Sequence, residues 1–309
     1  MESALVQMFK ALGSESRLRI LKVLLTGRYS VNELVSILDM GQSRVSRHLK
    51  LLMNANLVSV RREGTWAYYE AARPADKEET TPWFDSLSST RLDLPGAQED
   101  DSRRQICLEL RRQKSQKFHD QVAPQWSMIR KELFGNEAVI EHVLKPFKNE
   151  KIIADLGCGA GELLPKLVQS AELVIGVDSS PAMLDQARLV IESQNFVDRV
   201  ELRLGTLEHL PLADSEAGAA LLNMVLHHLA EPVQVLKEVR RALCASGRLV
   251  VCDLVRHDEE WMRDKYGDLW LGFTDKEIGR FFQQAGFEIL SINHYDAPRA
   301  GILVAVAQA

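Results

Sequence analysis

The amino-acid sequence predicts two modules of different fold class: an all-α module that ends in a β-hairpin, then an α/β module on a mostly parallel sheet. Three observations carry that expectation. Apolar residues recur at helical spacing from Ala4 to Asn54, then alternate through residues 57–60 and 65–69. From Pro74 to Asp101 the pattern dissolves into prolines, a Ser/Thr cluster and the run Gln98-Glu99-Asp100-Asp101, a linker composition. Beyond Lys151 short apolar strands (151–156, 173–178, 200–204, 219–224, 248–254) alternate with helical stretches, as in a doubly wound sheet. The last two strands, 288–292 and 302–307, are joined by a short loop and should pair antiparallel. The expected segments are residues 1–73 for the first module, 74–101 for the linker, 102–146 for a helical connector and cap, and 147–309 for the second module. At 309 residues the chain is long enough for two hydrophobic cores.

Composition narrows the function. The longest apolar runs, such as 302–307, are too short to cross a bilayer. The amphipathic start, with Leu5, Met8, Phe9 and Leu12 on one face, lacks the basic opening and cleavage site of a secretory signal. Cys107, Cys158, Cys244 and Cys252 are scattered without a disulfide framework. These features predict a cytoplasmic protein. The net charge of −5 divides unevenly, with +5 on residues 1–73 and −10 on the remainder. A basic module on an acidic body fits a nucleic-acid contact confined to one end.

Within the first module, Ser30-Val-Asn-Glu33 makes a capping box opening a short helix with Val31, Leu34, Ile37 and Leu38 inward. Met40-Gly41 makes a tight turn. In the next helix Val45, Leu49 and Leu52 face the core, which leaves Ser43, Arg44, Arg47, His48 and Lys50 on the outer arc. Such an arc suits the major groove, where arginine pairs bidentately with guanine. The hairpin that follows is expected to carry Arg61 and Arg62 at its tip, for phosphate or minor-groove contact. The alternative is a module of this shape used only for protein contact.

This module resembles the ArsR family of winged helix-turn-helix regulators through the runs KALGSESRLRILKVLL, SRVSRHLKLLMNANLV and RREGTWAYYE. The resemblance implies a homodimeric repressor on a two-fold, double-stranded DNA operator, paired through the Leu5/Met8/Phe9/Leu12 face. Many family members sense metal through cysteines on the helix before the recognition helix. Here that helix reads VNELVSILDM, without Cys or His, so no metal is expected.

In the second module the informative loop is Asp155-Leu-Gly157-Cys158-Gly159-Ala-Gly161-Glu162, between an apolar strand and a helix. Its glycines allow close backbone approach at the carboxyl edge of the sheet, where such folds bind ligands. A dinucleotide fingerprint would place its third glycine where Glu162 stands. One strand later Asp178 offers a carboxylate able to take both ribose hydroxyls.

From about residue 118 onward the chain resembles class I S-adenosylmethionine-dependent methyltransferases, which implies a Rossmann-like fold with a mostly parallel seven-stranded sheet. The runs are IIADLGCGAGELL, VIGVDSSPAMLDQAR, LRLGTLEHLPL, LLNMVLHHLAEPVQVLKEVRRAL and SGRLVVCDL. The ligand implied is S-adenosylhomocysteine or S-adenosylmethionine. Gly157 and Gly159, with Asp155 and Cys158, would lie under its methionine moiety, and Asp178 with Ser179 would hold the ribose. Met183 and Gly205-Thr206-Leu207 would bracket adenine, and the backbone near Asn223 would meet the amino-acid part. Two departures are Thr206, where an aspartate often stands, and Ala245-Ser246-Gly247 in place of a Pro-Gly-Gly turn. The run FHDQVAPQWSMIR resembles a helical cap, with Phe118 and Trp126 either covering the ligand or docking the connector.

No catalytic residue is assigned from sequence. His227-His228 invites a metal or general-base role, both disfavoured. The segment 257–273 could shape an acceptor site with His257, Asp258, Glu259, Glu260 and Tyr266. Two functions remain. One is a DNA-binding regulator gated by S-adenosylhomocysteine or S-adenosylmethionine, similar to ArsR-type repressors that respond to S-adenosylhomocysteine and control methionine-cycle genes. The other is a small-molecule methyltransferase with an attached regulatory domain. An arsenic acceptor is disfavoured because no cysteine pair has chelating spacing.

Overall fold

The computed structural model describes residues 3–63, 66–72, 94–123, 137–259, 261–297 and 300–309, together with Phe84 and Ser86. The chain forms two compact units, residues 1–111 and 112–309.

The first unit begins with α1 (Ala4–Leu12), whose cap Ser3 accepts from the Val6 N–H, and α2 (Glu15–Thr26), which buries Ile20, Leu21, Val23 and Leu24. A two-residue strand β1 (Tyr29–Ser30) leads into α3 (Val31–Leu38). Both halves of the expected capping box form: the Glu33 N–H donates to Ser30 Oγ, and the Ser30 N–H donates to Glu33 Oε2. Asp39 then turns left-handed (φ 51°), and Gly41 caps α4 (Gln42–Asn54). Val45, Leu49 and Leu52 lie on the buried stripe of α4, as their spacing predicts. The hairpin is β2 (Val58–Glu63) and β3 (Trp66–Ala71), with β1 added to β3 in the order β1-β3-β2. Two residues have no period to read, so β1 was invisible in the sequence.

Next comes α5 (Ala97–Val122), which opens inside the segment expected to be linker. The buried side of its first turns is polar, ahead of the fully buried Leu108. Asp100 is 4% exposed and takes two hydrogen bonds from Arg19, while Arg103 donates to the Ile37 carbonyl. Burial resting on ion pairs leaves no apolar period, which explains why residues 97–101 read as linker.

The second unit contains α6 (Glu137–Leu144), β4 (Glu150–Leu156), the short α7 (Leu164–Leu167), β5 (Ala171–Asp178), α8 (Pro181–Ser193), β6 (Val200–Leu204), β7 (Ala217–Asn223), α9 (Pro232–Ala242), β8 (Leu243–Leu254), α10 (Trp261–Tyr266), α11 (Asp275–Ala285), β9 (Glu288–Tyr295) and β10 (Ile302–Gln308). The sheet has seven strands in the order β6-β5-β4-β7-β8-β10-β9. The first five run parallel, and β10 is antiparallel to β8 and β9. Successive residues feed opposite faces: Ile153, Val174 and Val250 belong to one core, Ala154, Ile175 and Val251 to the other. This two-sided burial explains the near-continuous apolar strands. The order reverses at β4, which has β5 on one side and β7 on the other, so a crevice opens at its carboxyl end. The expected 245–247 turn is absorbed into β8, where Ser246 has φ 65°.

Candidate functional site

Two surfaces carry the residues singled out by sequence. On α4, Ser43, Arg44, Arg47 and Lys50 are exposed and His48 is half-buried. Arg44 also donates to Ser16 Oγ at 2.9 Å, which steadies its guanidinium against the bundle. Burial, together with Arg17, Arg44 and Arg47, holds the His48 imidazole below its ordinary value, so it is neutral at pH 7. The arginines of the hairpin are placed differently from expectation. Arg61 pairs with Tyr68 and Arg62 with Ala67 inside the ladder, ahead of the tip. Neighbours on a strand point to opposite faces. Arg61 is accordingly half-buried while Arg62 is exposed. The Leu5/Met8/Phe9/Leu12 face is also divided: Met8 and Leu12 are buried within the unit, Leu5 is half-buried, and Phe9, with Val6 beside it, is exposed. A nine-residue helix cannot both seal its own bundle and offer the same stripe outward.

At the carboxyl end of β4, Gly157, Gly159 and Gly161 all have positive φ (77°, 53° and 80°). A Cβ at Gly157 would lie 2.6 Å from Val225 Cγ2, so this turn requires glycine. The loop is tied to the next strand, since the Gly157 and Cys158 N–H groups donate to the Val177 carbonyl. Asp178 Oδ2 accepts from the Gly159 N–H at 2.8 Å, and Oδ1 accepts from the Ser180 N–H at 2.9 Å. Burial outweighs these bonds and pushes its carboxyl up. Each oxygen keeps a lone pair for a further donor.

The rest of the expected set gathers here in part. The Gly205 N–H donates to the Asp178 carbonyl, and Thr206 forms a bridge with His209. Asn223 ends β7 beside β4, and Ser179 is exposed. Met183 and Leu207 are 1% and 8% exposed, so their side chains belong to the interior. The Ser180 cap, which accepts from the Met183 N–H, turns Met183 inward against Ala160 and Ala123. Asp155 is buried at the end of its strand. Burial, with the Asp155 and Asp178 carboxylates, holds the Cys158 thiol protonated. The last turns of α5 border this loop: Gln116 Nε2 donates to the Ser179 carbonyl, Ser180 Oγ pairs with Asp120, and Arg112 pairs with Glu208. Phe118 meets Tyr266 edge-on, with ring centroids 6.0 Å apart. Trp126 and Glu260 lie outside the described residues.

The positive-φ glycine loop and a carboxylate with spare acceptor capacity fit a nucleoside-bearing ligand at the switch point. Comparison with known proteins agrees. Residues 14–60 match the family model for bacterial regulatory proteins of the arsR family, and residues 154–251 match that for a methyltransferase domain. The chain joins an ArsR-type helix-turn-helix to a methyltransferase domain.

The ArsR-type part is 43% identical over 65 residues to the arsenical resistance operon repressor of Bacillus subtilis, covering 21% of this chain and 62% of that one. The methyltransferase domain is 32% identical over 149 residues to an arsenite methyltransferase of Halobacterium salinarum, covering 45% of this chain and 38% of that one. Both matches span less than two thirds of the relative. Among solved structures, the [4+2]-cyclase SpnF superposes with a TM-score of 0.50 at 17% identity, over 55% of this chain and 80% of that one. That likeness shows the fold alone. The methyltransferase fold implies binding of S-adenosylmethionine or S-adenosylhomocysteine. No helix among the described residues is long and apolar enough to cross a membrane.

Near the glycine loop, the methyltransferase domain holds a buried polar cluster of which sequence reasoning named only the histidines. His227 follows β7, and its Nδ1 lies 2.8 Å from Asp253 Oδ1 on β8. Burial pushes the imidazole down, but the Asp253 and Asp268 carboxylates outweigh it and raise His227 to about 9. Burial raises Asp268 to about 6. A charged residue ending the apolar run LVVCDL was the available signal for Asp253. His227 and His228 were in view from the start, without the aspartates that lie beside them.

Proposed function

We propose that this protein is a homodimeric, DNA-binding transcriptional repressor whose methyltransferase domain binds S-adenosylhomocysteine or S-adenosylmethionine, and that the ligand gates operator affinity. The observation that carries this reading is α5. In the first unit its Asp100, Arg103 and Arg111 hold Arg19, the Ile37 carbonyl and Glu33 around the helix-turn-helix. In the second unit its Gln116 and Asp120 hold Ser179 and Ser180, next to the Asp178 carboxylate. One helix therefore has a stake in both sites. A ligand can gate DNA binding only if its affinity differs between two states, and residues 97–122 are the segment that contributes contacts to each unit.

In this reading Asp155, Gly157, Cys158, Gly159, Asp178, Ser179, Gly205, Thr206 and Asn223 hold the ligand, with Met183 and Leu207 shaping the pocket floor from beneath. Ser43, Arg44, Arg47, His48 and Arg62 contact DNA, with Arg61 bracing the hairpin. The exposed apolar residues Val6 and Phe9 on α1, and Ile106 and Leu110 on α5, are the surfaces offered for pairing two copies. The genes controlled would be those of the methionine cycle. The reading is tested by selecting duplexes from a random library with the full chain, then measuring affinity with each ligand. The expected result is a change of at least several-fold with one ligand. Unchanged affinity with both sinks the gating.

The arsenite methyltransferase relative favours a second reading, a small-molecule methyltransferase. Turnover of labelled S-adenosylmethionine onto an acceptor would support it. Arsenic itself is an unsuitable acceptor, since Cys107 is raised to about 11 and Cys158 well above the ordinary thiol.

A further inference from the structure

Three segments distant in sequence meet at the polar cluster. His227 and His228 belong to the turn after β7, Asp253 to the end of β8, and Asp268 to the loop after α10. That loop is fixed in place, because the Leu269 and Trp270 N–H groups both donate to the His227 carbonyl, at 2.9 and 3.0 Å. Asp253 Oδ1 accepts from the Leu254 N–H at 2.7 Å and lies 2.8 Å from His227 Nδ1. Oδ2 accepts from the His227 backbone N–H at 3.3 Å. The network therefore fixes a proton on Nδ1, so that Nε2 is the nitrogen turned toward Asp268.

Nε2 faces a second carboxylate. Asp268 Oδ1 lies 3.8 Å from His227 Nε2 and 3.9 Å from His228 Nδ1. Both spans exceed a hydrogen bond of about 2.7–3.2 Å. Both fit two bonds of about 2.0–2.2 Å to one shared ion. The ligand atoms of the three residues lie within 4.8 Å of one another. A second observation points the same way: Asp268 is 3% exposed, and its Oδ2 has no hydrogen-bond partner among the described residues. A buried carboxylate oxygen without a donor is costly and calls for a cation.

We infer that His227, His228 and Asp268 bind one divalent first-row transition-metal ion, which pins the loop after α10 to the ends of β7 and β8. Two imidazoles and a carboxylate are a donor set for such ions. Asp253, behind His227, is the carboxylate that commonly orients a metal-binding histidine. An ion there would displace the second proton of His227 and offset the charges of Asp253 and Asp268 beside the Arg263 guanidinium. His227 and Asp268 are almost wholly enclosed, so the ion holds structure and does not activate an exposed water.

The test uses the full chain, stripped with a chelator and dialysed, then titrated with Zn²⁺ against a chromophoric chelator. Uptake of one equivalent per chain is expected, at least ten-fold weaker in Asp268→Asn and in His228→Ala. Asp253→Asn should weaken it about 10–100-fold. Cobalt(II) added to the stripped wild-type chain should give visible d–d bands without a thiolate charge-transfer band, a readout independent of any variant's folding. Absence of stoichiometric uptake overturns the site and leaves a proton as the only bridging cation. Uptake unaltered in a folded Asp268→Asn chain, or a thiolate band, overturns it equally.

Discussion

The polar face of α4 and the carboxyl edge of the sheet present their chemistry in opposite ways. On α4 the useful groups are side chains held in water above an apolar stripe that does the folding. At the end of β4 they are backbone N–H groups and carboxylates, and the folding and the proposed site share atoms: Asp178 Oδ2 closes the Gly159 turn and Oδ1 takes the Ser180 N–H, the same oxygens proposed to hold the ligand. Function and stability should therefore separate under mutation in the first unit and resist separation in the second.

The largest effect is expected at Gly157→Ala. Positive φ costs about 1–2 kcal/mol for a residue with a Cβ. The contact with Val225 adds about 1–3 kcal/mol of overpacking. A loss of roughly 2–5 kcal/mol in urea unfolding, with weaker ligand binding, is the expected pair. Destabilisation under about 0.5 kcal/mol would show that the edge tolerates change as a surface does. Next is Arg111→Met, which removes the cation paired with Glu33. Breaking such a half-enclosed pair should cost about 1–3 kcal/mol, below the range for a fully buried one.

Glu33 gives the same contrast a pH readout. Burial raises its carboxyl, but Arg111 and the Ser30 capping bonds outweigh burial and hold it below its ordinary 4.5. A depressed carboxylate contributes stability that is present above pH 4.5 and lost as pH falls through the lower, folded value. Thermal melts from pH 6 downward should therefore show an acid-side loss that is shallower in Glu33→Gln. Equal slopes would mean that Arg111 does not hold this group. The second unit carries the same device, Glu277 at the Thr274 capping box with Arg256, and Glu277→Gln should flatten its acid limb likewise.

What the sequence made legible follows the same division. The α4 face was readable because Val45, Leu49 and Leu52 mark the buried side and the polar residues are what is left. The five inner strands were found because two-sided burial makes them apolar runs, while β6 and β9 were found although they lie at the half-exposed edges. The start of α5 was lost, since Asp100 is buried by pairing with Arg19 and not by being apolar. Arg61 and Arg62 were put at a hairpin tip because a turn signal marks a neighbourhood without fixing the register. The His227 cluster was out of reach for a further reason: Asp253 and Asp268 become its neighbours only through the β7–β8 pairing and the docking of the loop after α10.

The smallest expected effect on folding is also the most discriminating. Arg47 is exposed on the outer arc of α4, and replacing it with alanine removes a charge without opening a cavity. Stability should change by less than about 0.5 kcal/mol. DNA affinity should fall, and what the salt dependence does then identifies the contact. If Arg47 pairs with a guanine edge, the variant loses about 1–3 kcal/mol of discrimination at one base position. If it meets a phosphate, affinity drops for all sequences alike and the salt slope falls by about one. An Arg47→Ala chain that binds selected duplexes unchanged would show that α4 is not the reading element. In that case its free polar face would have no more functional meaning than the rest of the exposed surface, and the separation of function from stability in the first unit would fail.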